Sequence, residues 1–303
     1  MQNPPKTTEP VWTILKLVRW TTTYFQSHAI DSPRATAEIL LAHTLNMNRI
    51  DLYLQFDQPI VSTELGIFRA LIKRRIQREP VAYIVGTKEF WSLNLSVTDK
   101  VLIPRPETEC LVEQALSLLP QADSSPHPPE PRRILEIGTG SGAITLALAT
   151  ERPTDYFLAL DISLPAVTLA KRNAMDHDLA GKIDFFTGNL FAGIRKGATS
   201  FDMIVSNPPY IPTGTIDTLQ PEITRYEPVI ALDGHTDGLF FLRQIIGNAH
   251  AYLGPKGYLL LEIGHDQKDA VQQIITESNT YEAVVFSKDY SGHDRVVCMR
   301  KKA

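Results

Sequence analysis

The sequence predicts an α/β protein with a doubly wound, mostly parallel seven-stranded sheet, an antiparallel edge hairpin and a small N-terminal helical domain. Three observations support this. Residues 11–80 show helical spacing, seven short apolar runs then alternate with helical patterns, and the last two runs lie close together. The predicted strands are Arg133–Ile137, Phe157–Asp161, Lys182–Thr187, Met203–Ser206, Tyr258–Ile263, Ala283–Ser287 and Arg295–Met299. The predicted helices between them are Gly142–Thr150, Leu164–His177, Gly238–Ala251 and Gln267–Ser278.

The N-terminal region carries the usual signals of helix starts. An amphipathic pattern covers residues 11–26, and Ser32 followed by Pro33 predicts an N-cap and a first-turn proline. Ser62 is predicted to cap a further helix, with Glu64 in its first turn. Basic residues end that helix, and we interpret them as a solvated face, with a binding patch as the alternative. They are Lys73, Arg74, Arg75 and Arg78.

A different pattern connects this region to the alternating part of the chain. The β-prone runs 81–85 and 90–97 lie on either side of Gly86, which favours a hairpin. Ile103–Pro106 is predicted to be extended because each proline biases the preceding residue away from helix. Helical spacing returns over Glu107–Leu119, and residues 121–131 are predicted to form an exposed loop. We therefore expect a helical domain at 1–80, a hairpin linker at 81–106 and a larger domain at 107–303.

Composition limits the class of protein. The formal net charge of the 303 residues is -4, which gives no global basic field for nucleic acid. Cys110 and Cys298 lie outside any metal-ligand spacing and fit a reducing compartment. Residues 1–10 lack the charged and apolar regions typical of a secretory signal, and no apolar run approaches the ~20 residues that span a bilayer. We expect a soluble, cytoplasmic monomer without a metal ion or a membrane partner.

A glycine-rich turn follows the first strand of the predicted sheet and precedes a helix. Gly138, Gly140 and Gly142 alternate with Thr139 and Ser141. Glycines let the chain turn sharply and allow backbone N–H groups to approach a ligand closely. This pattern is shared by NAD enzymes and other nucleotide-binding proteins, and a purely structural turn is the alternative.

Asp161 ends the next strand, about 20 residues further on, where a carboxylate can accept hydrogen bonds from both ribose hydroxyls of a nucleoside. Its alternative role is the N-cap of the helix that starts at Leu164. A dinucleotide fingerprint has its third glycine three residues after the second, where this chain has Ala143. Dinucleotide-binding proteins tolerate alanine at this position, so the glycine spacing does not decide between a dinucleotide and a methyl donor as the cofactor.

The fourth strand breaks abruptly into Asn207-Pro208-Pro209-Tyr210. Ligands of open parallel sheets bind beyond the carboxyl ends of the strands, where this motif must lie. An amide or aromatic amine nitrogen attacks a sulfonium methyl group poorly because its lone pair is delocalised. The Asn207 side-chain oxygen and the Pro208 carbonyl, aimed at the two N–H hydrogens, would favour a localised lone pair. The prolines preorganise both acceptors, and Tyr210 can stack on the planar group.

The motif therefore predicts methylation of a planar nitrogen by S-adenosylmethionine, with a proline-stiffened turn as the structural alternative. In this setting it resembles the class I amino-methyltransferases, which act on adenine, guanine or glutamine amides. Further segments narrow the resemblance to the peptide chain release factor glutamine N5-methyltransferases, over nearly the whole chain. These segments are Arg78–Gly86, Glu89–Trp91, Val101–Glu109, Tyr226–Pro228, Ala231–Gly234, Asp237–Leu239 and Leu261–Gly264.

The resemblance implies a helical domain that docks the substrate, a β-hairpin connector and a C-terminal methyltransferase domain. It implies methylation of the glutamine in the Gly-Gly-Gln motif of class-1 release factors. Gly138 to Gly142 would hold the methionine portion of the cofactor, and Asp161 its ribose. Asn189 and Leu190 would flank the adenine, where many members carry an acid and often an aromatic residue.

The resemblance also assigns the substrate side of the site. Asn207, Pro208, Pro209 and Tyr210 would bind the glutamine side chain, with Asn207 also touching the cofactor. Phe90 and the connector Pro104–Glu107 would wall the pocket, with plain linker packing as the alternative. His235 replaces the second glycine of a family pattern, and we interpret it as a loop residue without a catalytic role. Glu262, which ends a strand near the site, is expected to be structural.

Three other functions are considered. A nucleic-acid amino-methyltransferase could use the same motif, but it would need a basic groove and a target-recognition domain. A catalytically silent protein could bind release factors or ribosomes through the N-terminal helices, although the intact Asn207 motif argues against it. A dehydrogenase is supported only by the glycine turn, because nothing in the sequence supplies a hydride-acceptor site.

Overall fold

The computed structural model describes residues 11–119, 130–197 and 200–303, so most of the predicted loop at 121–131 lies outside the described residues. The chain forms two compact units. The smaller contains the described part of Met1–Gly86 together with Pro221–Tyr226, and the larger contains Thr87–Gln220 and Glu227–Ala303. The functional division into a docking domain, a linker and a catalytic domain stays a prediction.

The smaller unit is helical, as predicted, and its helices enclose their own apolar core around Phe25, Leu40 and Phe68. Ser32 and Pro33 occupy the predicted N-cap and first-turn positions, although Ser32 has a φ of 46° and its side chain makes no capping hydrogen bond. The cap predicted at Ser62 is wrong. Ser62 is the first residue of the fourth helix, Val61 is the N-cap residue, and the Glu64 carboxylate accepts the Val61 backbone N–H at 2.9 Å. The helices are α1 (Ile14–Ser27), α2 (Pro33–Leu45), α3 (Arg49–Leu54), α4 (Ser62–Ile76) and α5 (Val81–Val85).

The basic end of α4 is not simply a solvated face. The Arg75 side chain is buried and donates to Glu222 at 2.7 Å, and Arg78 lies 3.1 Å from the same carboxylate. Arg74 pairs with Glu79. Three of the four cations are therefore bound by carboxylates, which argues equally against the alternative of a basic binding patch.

The run at Val81–Val85 was predicted to be a strand and is the helix α5 instead. A five-residue apolar run suits either structure, and here it lies between Pro80 and Gly86, which ends the helix with a φ of 82°. The hairpin therefore shifts along the chain to β1 (Thr87–Phe90) and β2 (Leu93–Ser96). Its two turn residues, Trp91 and Ser92, both have positive φ, the geometry that matches the twist of a two-residue hairpin.

The larger unit contains the predicted seven-stranded sheet, in the order β5-β4-β3-β6-β7-β9-β8. Five strands are parallel, and β9 and β8 form the predicted antiparallel edge. Apolar clusters cover both faces, because alternate residues of one strand point to opposite sides: Ile134 joins one cluster and Leu135 the other. The strands are β3 (Arg133–Ile137), β4 (Tyr156–Asp161), β5 (Ile183–Thr187), β6 (Phe201–Ser206), β7 (Leu253–Glu262), β8 (Tyr281–Lys288) and β9 (Asp294–Lys301).

Helices connect these strands, and their bounds agree closely with the predicted ones. They are α6 (Glu109–Leu118), α7 (Ala143–Glu151), α8 (Leu164–Asp176), α10 (Phe240–Ala249) and α11 (Lys268–Ser278), while the short α9 (Pro221–Tyr226) belongs to the smaller unit. In the described ranges, 3₁₀ helices occupy Pro106–Thr108, Thr213–Thr218 and Val229–Ala231. These short elements and α3 were not predicted, because they lack a full amphipathic repeat.

Strand order reverses between β3 and β6, and this reversal creates the site. The chain progresses from β3 through β4 to β5 in one direction, and then continues from β6 on the other side of β3. Ile137 and Ser206, the last residues of β3 and β6, lie opposite each other. The glycine turn and the Asn207 motif, about 70 positions apart in sequence, therefore begin side by side at the carboxyl edge of the sheet.

Gly142 provides a test of the packing behind the turn. It begins α7 with a φ of 88°, and a Cβ atom there would lie 2.6 Å from Leu146 Cδ1 and 3.2 Å from the Ala170 Cβ. We expect Gly142→Ala to lower the free energy of unfolding by about 2–4 kcal/mol, because left-handed backbone strain and overpacking add. Urea unfolding measures the change.

Gly292 is the matched control for this substitution. Its φ is 84°, but a Cβ atom there would meet nothing within 4 Å. Gly292→Ala should cost only about 1–2 kcal/mol, the backbone part of the effect. Equal losses in the two variants would contradict the close contact inferred at Gly142.

Candidate active site

A cavity of about 550 Å³ lies at the carboxyl ends of β3, β4 and β6, within the larger unit. Gly138 and Gly140 line it, and a Cβ atom at either would meet no protein atom within 4 Å. Both have positive φ. The two glycines therefore leave the space above the turn open to a ligand. Gly142, predicted to contact the cofactor, is not among the lining residues and serves the helix packing described above.

The backbone N–H groups of the turn are mostly bound within the protein. Those of Gly138 and Thr139 donate to the Leu160 carbonyl at 2.8 and 2.9 Å. The N–H of Gly140 donates to Asp161 Oδ2 at 2.9 Å. The N–H of Gly142 donates to the Thr139 carbonyl at 2.8 Å. The expectation that these N–H groups approach a ligand is therefore wrong for four of the five positions, and close approach comes from the missing side chains instead.

Asp161 ends β4 and faces the cavity. Its Oδ1 accepts the backbone N–H of Ser163 at 2.9 Å, while Oδ2 holds Gly140. Burial raises the pKa of this carboxyl, and the backbone N–H groups partly oppose the shift. The alternative role, N-cap of α8, belongs to Ser163, whose hydroxyl oxygen accepts from the Ala166 N–H at 3.3 Å. Asp161 therefore keeps lone pairs on both oxygens for a ligand.

Glu136 lies in β3 beneath the turn and also lines the cavity, although it is buried. Its Oε2 accepts the Thr139 hydroxyl at 2.7 Å and both the backbone N–H and the hydroxyl of Thr145. Burial raises the pKa of Glu136 to about 7, because desolvation of the charged form outweighs these hydrogen bonds.

This pKa predicts a pH-dependent stability. The folded-state pKa of about 7 lies above the ordinary 4.5, so between these values the unfolded chain is ionised while the folded protein keeps the proton. The free energy of unfolding should therefore fall by on the order of 3 kcal/mol as pH rises through this window, then level off. Urea unfolding of ligand-free protein between about pH 5 and pH 8 measures it.

Glu136→Gln is the matched variant, because its neutral amide resembles the protonated acid and can still accept from the two threonines. The difference in stability between this variant and the unmodified protein should grow with pH across the same window. A constant difference would show that Glu136 does not hold its proton in the folded state.

The Asn207 motif follows β6 directly. The Ser206 hydroxyl donates to the Ile137 carbonyl at 2.7 Å, which ties the end of β6 to the start of the glycine turn. Asn207, Pro208 and Pro209 line the cavity. The Asn207 Nδ2 donates to the Thr108 hydroxyl oxygen at 3.1 Å, which leaves the side-chain oxygen as the acceptor on the cavity side.

Tyr210 lies differently from the prediction that its ring stacks on the substrate. It is not among the residues that line the cavity, and its ring packs against the apolar cluster beneath the sheet edge. Its hydroxyl donates to Glu262 Oε1 at 3.1 Å, and its carbonyl accepts from Gln267 Nε2 at 2.9 Å. These contacts identify Glu262 and Gln267 as supports of the motif, consistent with the structural role expected for Glu262.

The connector before α6 forms one wall of the cavity, as predicted for Pro104 and Arg105. Buried Glu227 holds it, pairing with the Arg105 guanidinium and accepting the Ile103 N–H at 3.3 Å. The prediction for Phe90 is not supported by the geometry. Phe90 is 1% exposed within the apolar core of the larger unit, so the alternative of linker packing describes it.

The cavity is also lined by Asn189 and Leu190, as predicted, and by Ile162. His235 lines it too, with a φ of 66° and its ring centroid 4.4 Å from that of Phe240. The wall formed by α10 was missed from the sequence, because the helical pattern of α10 gives no sign of which residues face the site. Its lining residues are Phe240, Phe241, Gln244 and Ile245.

These features fit S-adenosylmethionine. Open space above the glycines suits a bulky ligand, the partly buried Asp161 carboxylate suits a ribose, and the apolar side chains of the lining suit an adenine. The Asn207 acceptor lies at the adjoining strand end, where an amide nitrogen would be held. The sheet order and this arrangement define a class I methyltransferase.

Comparison with known proteins agrees. A family model for the PrmC N-terminal domain matches residues 16–86, and one for the methyltransferase small domain matches residues 116–222. The release factor glutamine methyltransferase of Geobacter sulfurreducens is 41% identical over 287 residues, 95% of this chain and 96% of the relative. That of Salmonella typhimurium is 42% identical over 274 residues, 89% of this chain and 93% of the relative. This chain belongs to the release factor glutamine methyltransferase family, whose members use S-adenosylmethionine.

A solved methyltransferase from Pyrococcus furiosus shares the fold, with a TM-score of 0.50 and 20% identity over 80% of this chain and 100% of that one. The predicted fold class is therefore confirmed. Within the described parts of the chain, every helix falls short of the length and apolar character that a bilayer crossing requires.

Proposed function

We propose that this protein transfers a methyl group from S-adenosylmethionine to the side-chain nitrogen N5 of the glutamine in the Gly-Gly-Gln motif of class-1 release factors. The observation that carries the chemistry is the Asn207 amide, anchored through its nitrogen so that its oxygen is left to the cavity. Family membership supports the choice of a release factor glutamine as substrate.

The transfer step forms a bond between the glutamine nitrogen and the methyl carbon while the sulfur–methyl bond breaks. The methylated nitrogen then carries a positive charge and releases one proton to water, which gives N5-methylglutamine and S-adenosylhomocysteine. Before transfer, the Asn207 side-chain oxygen and the Pro208 carbonyl accept the two N–H hydrogens. This draws the lone pair out of conjugation and aims it at the methyl group.

The remaining residues hold the two reactants. Gly138, Gly140 and the side chains around them would take the methionine portion of the cofactor, and Asp161 would accept from its ribose hydroxyls. Asn189 and Leu190 would flank the adenine. An asparagine can accept from the adenine N6 amino group and donate to N1, so it can replace the acid usual in the family.

We further propose that the helical unit docks the release factor and that the protein works as a cytoplasmic monomer without direct contact to nucleic acid. The formal net charge of -4 supports a protein partner over a nucleic-acid backbone.

Methyl transfer from radiolabelled S-adenosylmethionine tests the proposal. A recombinant class-1 release factor should be labelled, while its Gly-Gly-Ala variant and total RNA should stay unlabelled. Label on RNA alone would support an adenine or guanine amino-methyltransferase instead, and equal label on both proteins would place the methyl group outside the Gly-Gly-Gln glutamine.

A further inference from the structure

Thr108 is a cavity residue to which the sequence assigned no role. It ends the 3₁₀ helix Pro106–Thr108, lines the cavity and is 4% exposed. Its hydroxyl oxygen accepts from Asn207 Nδ2 at 3.1 Å. The contact joins the proline-rich connector to the motif at the end of β6, and it lies within the larger unit.

The orientation of the Asn207 amide decides whether the site can work. With the oxygen toward the cavity, the amide accepts an N–H of the substrate. Rotated by half a turn, it would present its own N–H groups to those of the substrate and repel them. The two ends of an amide have nearly the same shape, so only hydrogen-bond partners can choose between them.

A hydroxyl group by itself does not determine the orientation of the Asn207 amide, because it can either donate a hydrogen bond or accept one. Glu262 offers the Thr108 hydroxyl proton an acceptor. This carboxyl is 1% exposed, its Oε1 accepts the Tyr210 hydroxyl at 3.1 Å, and its buried Oε2 has no hydrogen-bond partner among the described residues. Burial raises the pKa of this carboxyl, and the Thr108 hydroxyl partly opposes the shift. A Thr108 hydroxyl that turns its proton toward this free carboxylate oxygen keeps its own lone pairs for the Asn207 N–H.

We propose that Thr108, oriented by Glu262, is a positioning residue that fixes the Asn207 amide with its oxygen toward the substrate nitrogen. The inference rests on the proposed function, since it concerns the same transfer reaction. Thr108 itself touches neither reacting atom in this role. It acts through Asn207, and Glu262 acts through Thr108.

The test compares Thr108→Val with Thr108→Ser. Valine keeps the shape of threonine but offers no acceptor, whereas serine keeps the hydroxyl. We expect Thr108→Val to lower kcat on the release factor by about 10-fold, the effect of losing one hydrogen bond that orders the amide. The dissociation constant for S-adenosylhomocysteine should stay within about twofold, and Thr108→Ser should restore kcat to within about threefold.

Thermal unfolding of each variant accompanies the kinetics, and Thr108→Ala replaces the valine variant if that does not fold. Wild-type kcat in the valine or alanine variant would overturn the inference. A parallel loss of kcat, cofactor affinity and melting temperature that serine does not restore would also overturn it, as it would show a merely structural residue. Absence of methylation by the unmodified protein would overturn the proposed function, so the two failures are distinguishable.

Discussion

Replacing Asn207 with alanine should reduce kcat for methyl transfer by about 10²–10³-fold, comparable to the removal of one preorganised polar group from other active sites. The substitution removes the acceptor that holds one N–H of the substrate amide, so the nitrogen lone pair stays conjugated. The dissociation constant for S-adenosylhomocysteine should change little, because the glycine turn and Asp161 remain. Single-turnover kinetics with a release factor and calorimetric titration measure the two effects.

Asn94→Ala is the control for this substitution. Asn94 is exposed in β2 and lies outside the cavity lining, so its removal should leave kcat and cofactor affinity unchanged. If Asn207→Ala weakened cofactor binding as strongly as it slowed transfer, Asn207 would have to be reassigned from the substrate to the cofactor.

Replacing Asp161 with alanine should raise the dissociation constant for S-adenosylmethionine about 100-fold or more. Hydrogen bonds to charged groups contribute about 1.5–3 kcal/mol each, and a ribose offers two hydroxyls. The loss should be partly indirect, because Asp161 also holds the N–H of Gly140 at 2.9 Å and thereby shapes the turn. Equilibrium titration of the folded variant provides the measurement.

Two further variants separate these contributions. Asp161→Asn keeps one acceptor oxygen and should show an intermediate loss of affinity. Asp184→Ala removes an exposed carboxylate from the neighbouring strand β5 and should leave cofactor affinity unchanged. Unaltered affinity in Asp161→Ala would exclude the ribose contact that the sequence pattern predicts.

The sheet was predictable because each of its strands is marked by local chemistry. Arg133–Ile137 was predicted to the residue, and the other strands differ mainly at their ends. The secondary structure of the N-terminal region was harder to predict. Val81–Val85 suits helix or strand by composition, and its position between Pro80 and Gly86 made it α5. Ser62 looked like a cap, but Glu64 was close enough to take the N–H of Val61.

In the site, too, some residues were predictable from the sequence and others were not. Short motifs predicted Asp161 and Asn207 as site residues, because these residue types are expected at fixed distances from a strand end, and both line the cavity. No local pattern could show that Phe90 turns into the core, or that Tyr210 directs its hydroxyl to Glu262. The Thr108 contact with Asn207 joins residues 99 positions apart, so it became visible only in the folded chain.

The sequence by itself therefore determined the fold class, the cofactor and the chemistry, because the glycine turn and Asn207-Pro208-Pro209-Tyr210 each express a local geometric requirement. The tertiary structure alone decided which residues support those motifs. Burial and hydrogen-bond direction depend on neighbours that arrive from distant parts of the chain, and these set the pKa of Glu136 and the orientation of the Asn207 amide.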